Sequence, residues 1–569
     1  MPLPQRTHVP GNHRAHSAKV KHNHLITKRL NNLRAPHSVA RKQYNPLTIR
    51  HKNAAVMKRI LLSATLLCIA IAAAAQGYTN PVVRGFNPDP SVCRVGEDYY
   101  LVTSSFQYYP GVPLYHSKDL VNWEQIGHVL TRESQLYLKG ANSNGGIFAP
   151  VIRHHNGRFY MITTNVSTVG NFIVTTDDIR GEWSDPIPVK VGGIDPSLFW
   201  DEDGKCWYTG SADGGILLCQ INPDTGEVLT TPKRVWDGTG GRWPEAPHIY
   251  KKDGWYYLMI AEGGTEFGHN ETIARSRQID GPYTSAPHNP ILAHYKAATQ
   301  SNPIQGVGHA DIVQAHDGSW WLVCLGFRTQ SGMHHLLGRE TFLAPVRWDE
   351  GAWPVVNATG DIAIDMNVPT LPLQPFEAKP ARNEFDAPLG PEWSYLRNPD
   401  LSKYEIADGR LRIHGTAAGT DEAAVSPSFI CCRQTEHNFT AETCLKLANA
   451  DKAGMSIYMD HNGHYDISLT KKGGKTVIET VYRLGTITHK EEIPFKGNKV
   501  WLRLTGNPMQ YQMWYSTDGK NFKSAGTGDT RYLSSETYGN FTGIMLGLWA
   551  QSASGKGYAD FDYFEYSPM

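Results

Sequence analysis

Three carboxylates of this 569-residue chain stand beside prolines in apolar segments. They are Asp89 in NPDPSV, Asp195 in IDPSLFW and Glu245 in WPEAPH. Each segment reads as a buried strand, where an ionised carboxylate is costly to desolvate. Carboxylates that meet in such a place shift one another's pKa values, which can give a site separate acid and base roles. A single Asp before Pro is more typical of a turn, so the interpretation depends on whether the three converge.

Five repeats in the first half of the chain predict that they do converge. Each repeat has a turn followed by an aromatic-rich apolar strand: GEDYYLVTSS, NGRFYMITTN, DGKCWYTGS, DGWYYLMIAE and DGSWWLVCLG. The second aromatic residues of these strands are Tyr100, Tyr160, Trp207, Tyr257 and Trp321. Repeats of this length, with Gly, Asp and Asn turns, are typical of β-propeller blades. The sequence therefore predicts a propeller of five blades.

The segment before each turn is predicted to be the innermost strand of its blade. Eleven or twelve residues before the repeated aromatics stand Asp89, Ala149, Asp195, Glu245 and His309. We expect these five residues, to within one position, to face the central axis. Three carboxylates and a histidine would then meet there.

The motifs of this half resemble glycoside hydrolase family 43. They are FNPDPSV, GGIFAP, GGIDPSLFW, WPEAPHIY, GHADIV and LGRETFLAPVRW, they come in the family's order, and they cover roughly residues 78 to 370. The resemblance implies an all-β fold, in which a five-bladed β-propeller is followed by a concanavalin-like β-sandwich. It also implies that Asp89 is the general base, that Asp195 tunes the pKa of the acid and orients it, and that Glu245 is the general acid.

Enzymes of this family invert the anomeric centre. An inverting site needs a carboxylic acid that protonates the leaving oxygen and, at a spacing of about 6.5–9.5 Å, a carboxylate that activates water. A lone glutamate, with a reference pKa of about 4.3, would be mostly ionised at neutral pH. Because a neighbouring carboxylate disfavours ionisation, Asp195 is expected to keep Glu245 protonated.

The resemblance also implies several supporting residues. Arg328 in LGFRTQ matches an arginine near the terminal sugar, and its alternative role is a surface ion pair. Phe148 matches an aromatic wall of the sugar site, with core packing as the alternative, and Phe106 and His269 are expected at the rim. His309 matches an axial histidine that can sit beside a bound calcium ion or a water cluster. Since no acidic calcium loop is visible, such an ion would be mostly water-ligated. No cofactor is otherwise expected.

The second half predicts a separate domain. A Pro-rich linker is placed at residues 371–382, and residues 383–569 contain alternating runs such as AGMSIYMD, VWLRLTG and ADFDYFEY, typical of an antiparallel sandwich. This domain is either a carbohydrate-binding module or a partner that completes the pocket. The segment GNFTGIMLGLWAQ, residues 539–551, matches one near the catalytic opening of related xylosidases. We therefore expect the sandwich to pack on the propeller rim and narrow the site.

Two segments precede the predicted propeller domain, residues 76–370. Residues 1–56 are basic and His-rich, and are expected to be a disordered extension from a mis-assigned start. Residues 57–75 begin with MKR and continue as an apolar run that is short for a membrane span, so they predict a cleavable signal peptide. The protein is thus expected to be secreted or periplasmic, without a membrane anchor.

Composition narrows the partners. Lys and Arg number 55 against 54 Asp and Glu, a balance that gives no reason to expect nucleic acid or an anionic membrane as a partner. Seven cysteines follow Cys68 of the signal segment, without paired spacing, so no disulfide framework is predicted.

The expected function is an exo-acting glycoside hydrolase that releases terminal β-D-xylose from hemicellulose oligosaccharides derived from xylan. An α-L-arabinofuranosidase acting on arabinoxylan or arabinan side chains is the alternative, because the two sugars place similar hydroxyls in one cavity. A non-catalytic glycan-binding propeller is a remoter alternative, since binding does not require three inward carboxylates. An endo-acting arabinanase would need an open groove. The sequence leaves the oligomeric state open.

Overall fold

The structure is a computed structural model that describes residues 77–295, 301–330, 333–367 and 371–569. The expected extension, residues 1–56, and signal peptide, residues 57–75, lie outside these residues. The described chain is nearly all-β, which confirms the predicted fold class. Within it, no helix is both long and apolar enough to cross a membrane.

Five antiparallel sheets follow one another along the first half, one for each repeat. After a short strand β1 (Tyr78–Thr79), blade one has β2 (Ser91–Val95), β3 (Asp98–Val102), β5 (Gly111–Ser117) and β6 (Glu124–Leu130), with β4 (Tyr108–Tyr109) outside the blade. Blade two has β7 (Val151–His155), β8 (Arg158–Asn165), β9 (Gly170–Thr176) and β10 (Ile187–Pro188). Blade three has β11 (Ile194–Trp200), β12 (Cys206–Ala212), β13 (Gly215–Asn222), β14 (Glu227–Val228) and β15 (Lys233–Trp236). Blade four has β16 (Glu245–Lys252), β17 (Trp255–Glu262), β18 (Asn270–Ser276), β19 (Thr284–Ser285) and β20 (Leu292–Ala293). Blade five has β21 (Ile304–Gln314), β22 (Trp320–Arg328), β23 (Glu340–Arg347) and β24 (Val355–Val356), after which β25 (Asp365–Met366) pairs with β1.

The repeated aromatics all lie on the second strand of their blades, as predicted. Their partners on the innermost strands are Cys93, Arg153, Phe199, Tyr250 and Val313. Four residues before these partners stand Asp89, Ala149, Asp195, Ala246 and His309. The predicted axial register is therefore correct in four blades and wrong by one residue in blade four, where Glu245 precedes the equivalent position.

The error arises from turn length. From the innermost partner to the aromatic, the chain advances eight residues in blades three and five but seven in the other three blades. Counting twelve residues back in blade four therefore overshoots by one. A register shift between Glu245 and His248 in the pairing of β16 with β17 accompanies this position. Blade three has the same shift between Ile194 and Ser197, so Ile194 is the equivalent of Glu245 in that blade.

A second axial layer lies below the first. Because side chains on one face of a strand recur every second residue, the next inward positions are Ser91, Val151, Ser197, His248 and Asp311. Arg153 donates to Asp311 Oδ2 and to His248 Nδ1, each at 2.8 Å. Ser91 and Tyr250 also donate to Asp311, each at 2.8 Å. These bonds join blades one, two, four and five by a buried network, which holds the innermost strands together beneath the carboxylates.

The second half forms two eight-stranded sheets, which confirm the predicted sandwich. One sheet contains β26 (Arg382–Asn383), β28 (Tyr404–Ile406), β29 (Leu411–His414), β31 (Phe439–Leu447), β36 (Lys499–Gly506), β37 (Gln510–Ser516), β38 (Lys523–Asp529) and β40 (Tyr558–Pro568). The other contains β27 (Ser394–Leu396), β30 (Phe429–Arg433), β32 (Lys452–Asp460), β33 (Gly463–Lys472), β34 (Lys475–Leu484), β35 (Ile487–Phe495) and β39 (Met545–Gln551). Two 3₁₀ turns (Leu401–Lys403 and Thr530–Leu533) and one short helix, α1 (Ser535–Tyr538), complete it. The core between the sheets includes Met455, Ile457, Leu502 and Leu546.

The eighth strand of the second sheet comes from the propeller. It is β4 of blade one, whose Tyr108 and Tyr109 pair with Leu396 and Tyr395 of β27. Beside this pairing, the buried Arg397 donates from Nε to the carbonyl of Ala141 at 2.6 Å. A strand shared by both domains fixes the sandwich on the propeller. The seven cysteines of the described chain are all buried and free, as the sequence predicts.

Candidate active site

A cavity of about 120 Å³ opens at the axis of the propeller. Its wall includes all three predicted catalytic carboxylates together with the other axial residues: Asp89, Ala149, Asp195, Glu245 and His309. The remaining wall consists of Phe106, Phe148, Ile194, Thr265, Arg339 and Phe541. The structure therefore brings together the carboxylates that the repeats placed on one axis.

The backbone at these positions is strained. Asp89, Asp195, Ala246 and His309 have φ values of 56°, 54°, 54° and 50°. Non-glycine residues seldom adopt this left-handed conformation, and it persists only where the surrounding structure imposes it. Here the paired inner strands continue on one side and a proline follows three of the four residues. At these residues the backbone of each inner strand changes direction, beside the cavity.

Asp89 is buried and held ionised. Its Oδ1 accepts from Arg339 Nη1 at 2.8 Å, and its Oδ2 accepts from Ser104 Oγ at 2.6 Å. His309 Nδ1 lies 3.6 Å from the same carboxylate. Burial alone would raise the pKa of Asp89, but the Arg339 guanidinium, His309 and the Ser104 hydroxyl lower it below its ordinary value. This carboxylate is therefore suited to accept a proton from water.

Asp195 has the opposite electrostatic environment. Burial, and then the charges of Glu245 and Asp89, raise the pKa of Asp195 well above its ordinary value. The backbone N–H of Ala246 donates to Asp195 Oδ2 at 3.2 Å, which ties this carboxyl to the strand that carries Glu245. Two carboxylates with pKa values moved in opposite directions thus lie in one cavity, which is a pattern of acid–base sites.

Two buried groups stand behind Glu245. His269 is fully buried, with Nε2 3.5 Å from Glu245 Oε1, and it is not part of the cavity wall. The expectation that His269 is a rim contact is therefore corrected, because its position just before β18 turns it inward. Glu271, which the sequence did not single out, accepts from the N–H of Ala310 at 3.2 Å. Burial, followed by the charges of Glu245 and Glu262, raises the pKa of Glu271 well above its ordinary value.

Three phenylalanines form the apolar side of the cavity. Phe148 was expected in this wall and Phe106 at the rim; their ring centroids are 5.2 Å apart. The third, Phe541, comes from the sandwich and lies 5.8 Å from Phe106 and 6.2 Å from Phe148. Its backbone N–H donates to Asn144 Oδ1 of the propeller at 3.0 Å. The predicted loop of residues 539–551 therefore supplies one wall of the site.

Arg339, and not Arg328, is the arginine of the cavity. Arg328 makes a buried ion pair with Glu340 and a second ion pair with Glu436 of the sandwich, each at 2.8 Å. The expected contact of Arg328 with a terminal sugar is thus corrected to an ion pair that joins the domains. Arg339 stands in the motif LGRETF, and it binds Asp89, Thr265 Oγ1 at 2.9 Å and the carbonyl of Phe541 at 3.2 Å.

His309 lines the cavity, and burial lowers its pKa. The described residues contain no group of three or more His, Cys, Asp or Glu side chains arranged to hold a metal ion. A calcium ion beside His309 would depend on water for most of its ligands, and no step below depends on one.

A further cavity of about 130 Å³ adjoins the first. The two share Thr265, Arg339 and Phe541, and the second continues toward His335 and Glu536. Since Glu536 belongs to the sandwich and hydrogen-bonds His335 of the propeller, both domains enclose this space.

Comparisons with known proteins agree with this geometry. Residues 78–354 match the model of glycosyl hydrolases family 43, and residues 382–567 match the β-xylosidase C-terminal concanavalin A-like domain. The chain is 40% identical to a non-reducing end α-L-arabinofuranosidase of Bacteroides ovatus, over 90% of this chain and 99% of that protein. It is 34% identical to a β-xylosidase of Bacillus subtilis, over 86% of this chain and 99% of that protein. Among solved structures, a xylan β-1,4-xylosidase from Bacillus halodurans superposes with a TM-score of 0.81 at 35% identity, covering 86% of this chain and 100% of that one.

Proposed function

Because the chain belongs to glycosyl hydrolases family 43, we propose that it is an inverting, exo-acting glycosidase that releases terminal β-D-xylose from xylan-derived oligosaccharides. The observation that carries this proposal is the small cavity in which three axial carboxylates face an aromatic wall completed by Phe541. A cavity of about 120 Å³ suits one sugar ring, whereas a chain bound along its length would need an open groove.

In the proposed mechanism, Asp89 takes a proton from a water molecule that attacks the anomeric carbon. Arg339 and Ser104 keep Asp89 ionised in the resting enzyme, so it is ready to act as the base. Glu245 donates a proton to the leaving oxygen on the opposite side of the ring. Attack by water without a covalent intermediate inverts the anomeric centre.

Asp195 acts through Glu245. It lies close enough for the Glu245 charge to raise its pKa, and it accepts from the N–H of Ala246 beside the acid. Two carboxyls this close resist carrying two negative charges at once, so the pair of Asp195 and Glu245 retains a proton for the leaving oxygen. His269 contacts Glu245 from behind and fixes its orientation.

The adjoining cavity of about 130 Å³ offers space for the next sugar of the substrate, the leaving group. Because the sandwich supplies Phe541 and Glu536, only a chain end can place its last ring at the carboxylates while the remainder leaves along this space. This arrangement supports exo action.

An α-L-arabinofuranosidase activity is the second candidate. It is favoured by the 40% identical relative from Bacteroides ovatus, whose name gives that activity. Hydrolysis of p-nitrophenyl β-D-xylopyranoside and p-nitrophenyl α-L-arabinofuranoside, measured side by side, distinguishes the two. A higher kcat/KM on the xyloside supports the first proposal, and the reverse ratio replaces it with the second.

The carboxylate roles are tested by Glu245→Gln and Asp89→Asn. Each should reduce kcat by roughly 10²–10⁴-fold, the usual contribution of a general acid or base. Glu245→Gln should recover partly on aryl glycosides whose leaving group needs no proton. Exposed Glu202, changed to Gln, is the matched control and should retain full activity.

Stereochemistry is the second test of the mechanism. Proton NMR of the first sugar released should show the inverted anomer before mutarotation. Wild-type activity in both variants, or net retention of configuration at early times, would contradict the assigned roles.

We also propose that the protein is exported, on the basis of the apolar segment that follows Met57. Fractionation of the native host should recover the activity outside the cytoplasm. We further propose that a calcium ion near His309, if bound, has a structural role only. Dialysis against a chelator should then lower Tm without moving either limb of the pH profile.

A further inference from the structure

An apolar cavity lies away from the carboxylates, between the propeller and the sandwich. Its volume is about 380 Å³, and it shares no wall residue with the catalytic cavity. Asn87, Tyr115 and Gln125 line it from the propeller, and Trp393 and Arg433 line it from the sandwich. A cavity of this size is within the range of pockets that hold small molecules, roughly 300–1,000 Å³.

Arg433 is the unusual residue of this cavity. It is 92% buried, since its relative exposure is 8%, and its Nε donates to the carbonyl of Phe86 at 2.6 Å. Its Nη1 and Nη2 have no hydrogen-bond partner among the described residues, and no described carboxylate lies within 4.0 Å of its guanidinium. Among the other buried arginines, Arg339 pairs with Asp89, and Arg397 donates from Nε and Nη1 to the backbone carbonyls of Ala141 and Val425. An unpaired buried charge is costly, so this guanidinium indicates that an anion belongs beside it.

The wall of the cavity carries one carboxylate, that of Glu392, against the cationic side chains of Arg84, Lys379 and Arg433. His128 is buried nearby, and burial together with the positive charge of Arg433 lowers the pKa of His128 to about 3. It is therefore neutral, and its Nε2 lies 3.3 Å from the amide nitrogen of Gln125. At the mouth, the carboxylate of Glu392 is already paired with Lys379 at 3.3 Å. Among the described residues, the cavity therefore has a net positive interior.

The walls suit a sugar ring. Trp393, Phe564 and Tyr566 are aromatic residues of the wall, and aromatic walls are common in sites that bind small molecules. Asn87 and Gln125 also line the cavity, and most of their amide atoms already bond within the protein. Gln125 Oε1 and one hydrogen of Asn87 Nδ2 remain to bond a hydroxyl. A guanidinium whose two Nη atoms are free can bind a carboxylate with both of them.

We propose that this interdomain cavity is a second carbohydrate site, which binds a sugar that carries a carboxylate, a hexuronic acid. The Arg433 guanidinium binds the carboxylate, and the aromatic walls hold the ring. Because the site shares no residue with the catalytic cavity, a bound uronate does not compete with the substrate for the carboxylates. This proposal does not depend on which pentose the enzyme releases.

The test is calorimetric titration of the full-length protein with D-glucuronate, and with D-glucose as the neutral matched sugar. Glucuronate should bind and glucose should bind at least about tenfold more weakly, because a hydrogen bond to a charged group contributes about 1.5–3 kcal/mol. Arg433→Met should weaken glucuronate binding at least about tenfold, whereas Arg433→Lys should retain part of it. Arg339→Met, which removes the arginine of the catalytic cavity, should leave glucuronate binding unchanged.

Three results would overturn the proposal. Equal binding of glucose and glucuronate would remove the role of the charge. Loss of glucuronate binding in Arg339→Met but not in Arg433→Met would place the uronate in the catalytic cavity. Equal binding of benzoate or inorganic phosphate would reduce the cavity to a general anion site.

The wild-type protein also provides a test that does not depend on whether the Arg433 variants fold. Glucuronate should raise Tm without competitive inhibition of hydrolysis of the aryl xyloside. A purely competitive pattern, or no change in Tm at millimolar glucuronate, would contradict a separate site.

Discussion

Replacing Ser104 by alanine tests how the proposed base is kept ionised. The Ser104 hydroxyl donates to Asp89 Oδ2 at 2.6 Å, a distance typical of a charge-assisted O–H···O⁻ bond. A hydroxyl bonds the ionised carboxylate more strongly than the protonated acid, so this bond contributes to the lowered pKa of Asp89. Without it, the ionised form loses a partner and the pKa of Asp89 must rise.

The size of the effect follows from the bond. A hydrogen bond to a charged group contributes about 1.5–3 kcal/mol, and one pKa unit corresponds to about 1.4 kcal/mol. Because Arg339 and His309 remain in place, we expect the lower part of this range, a rise of about one unit. Asp89 acts as a base only when ionised. The acidic limb of kcat/KM should therefore move up by about one pH unit, while the rate well above that limb stays within a few fold of wild type.

The assay is kcat/KM for an aryl xyloside measured across the pH range in which the protein stays folded. Ser105→Ala is the matched control, since this neighbouring buried serine accepts from the N–H of Val112 and does not contact Asp89. Its acidic limb should coincide with that of the wild type. An unmoved limb in Ser104→Ala, or an equal movement in Ser105→Ala, would refute the assignment of Asp89 as the base held ionised by Ser104.

Two further predictions concern the acid and the domain interface. Asp195→Asn should move the basic limb of the pH–rate profile to lower pH. It should also raise the free energy of unfolding at pH 7 by about 1 kcal/mol or more, because a buried carboxyl with a raised pKa is costly to ionise. This gain in stability should be absent below the ordinary carboxyl pKa of about 3.9, and it should grow as pH rises through the raised pKa of Asp195. Equal unfolding curves for the wild type and Asp195→Asn at all pH values would contradict this prediction. Expression of residues 76–375 without the sandwich should give an inactive or insoluble fragment, because Phe541 and the partner strand of β4 are both removed. A soluble fragment with full activity would show instead that the propeller closes its own site.

The blades and the meeting of the three carboxylates at the axis could be predicted because both depend on a pattern that recurs along the chain. The repeated aromatics mark the second strand of each blade, and strand pairing then determines which residues of the first strand reach the axis. What counting could not supply was the length of each turn. The turn of blade four is one residue shorter than that of blade three, so counting made Glu245 appear equivalent to Asp195. The equivalent residue is Ala246. Glu245 lines the cavity nonetheless, as does Ile194, which occupies the equivalent position of blade three.

The exchange of two arginines shows a different limit. Arg339 and Glu340 are neighbours at the start of β23, and side chains of adjacent strand residues point to opposite faces. Arg339 therefore reaches Asp89 in the cavity, while Glu340 turns away from it and pairs with Arg328. Both arginines belong to polar segments at the end of the same blade. Without the positions of the carboxylates on each side, the sequence offers no reason to prefer one over the other.

The sandwich contributes to the site because a short propeller strand and two glycines allow close approach. A Cβ on Gly338 would lie 2.9 Å from the Cα of Gly543, and a Cβ on Gly543 would lie 2.3 Å from the carbonyl oxygen of Leu337. Only glycines fit at this contact, and it lies directly beside Arg339 in one chain segment and close to Phe541 in the other. Arg339, which binds Asp89, and Phe541, which closes the aromatic wall, are thus both next to this contact. Catalytic geometry in this protein depends on the domain interface, since neither segment is positioned by the propeller alone.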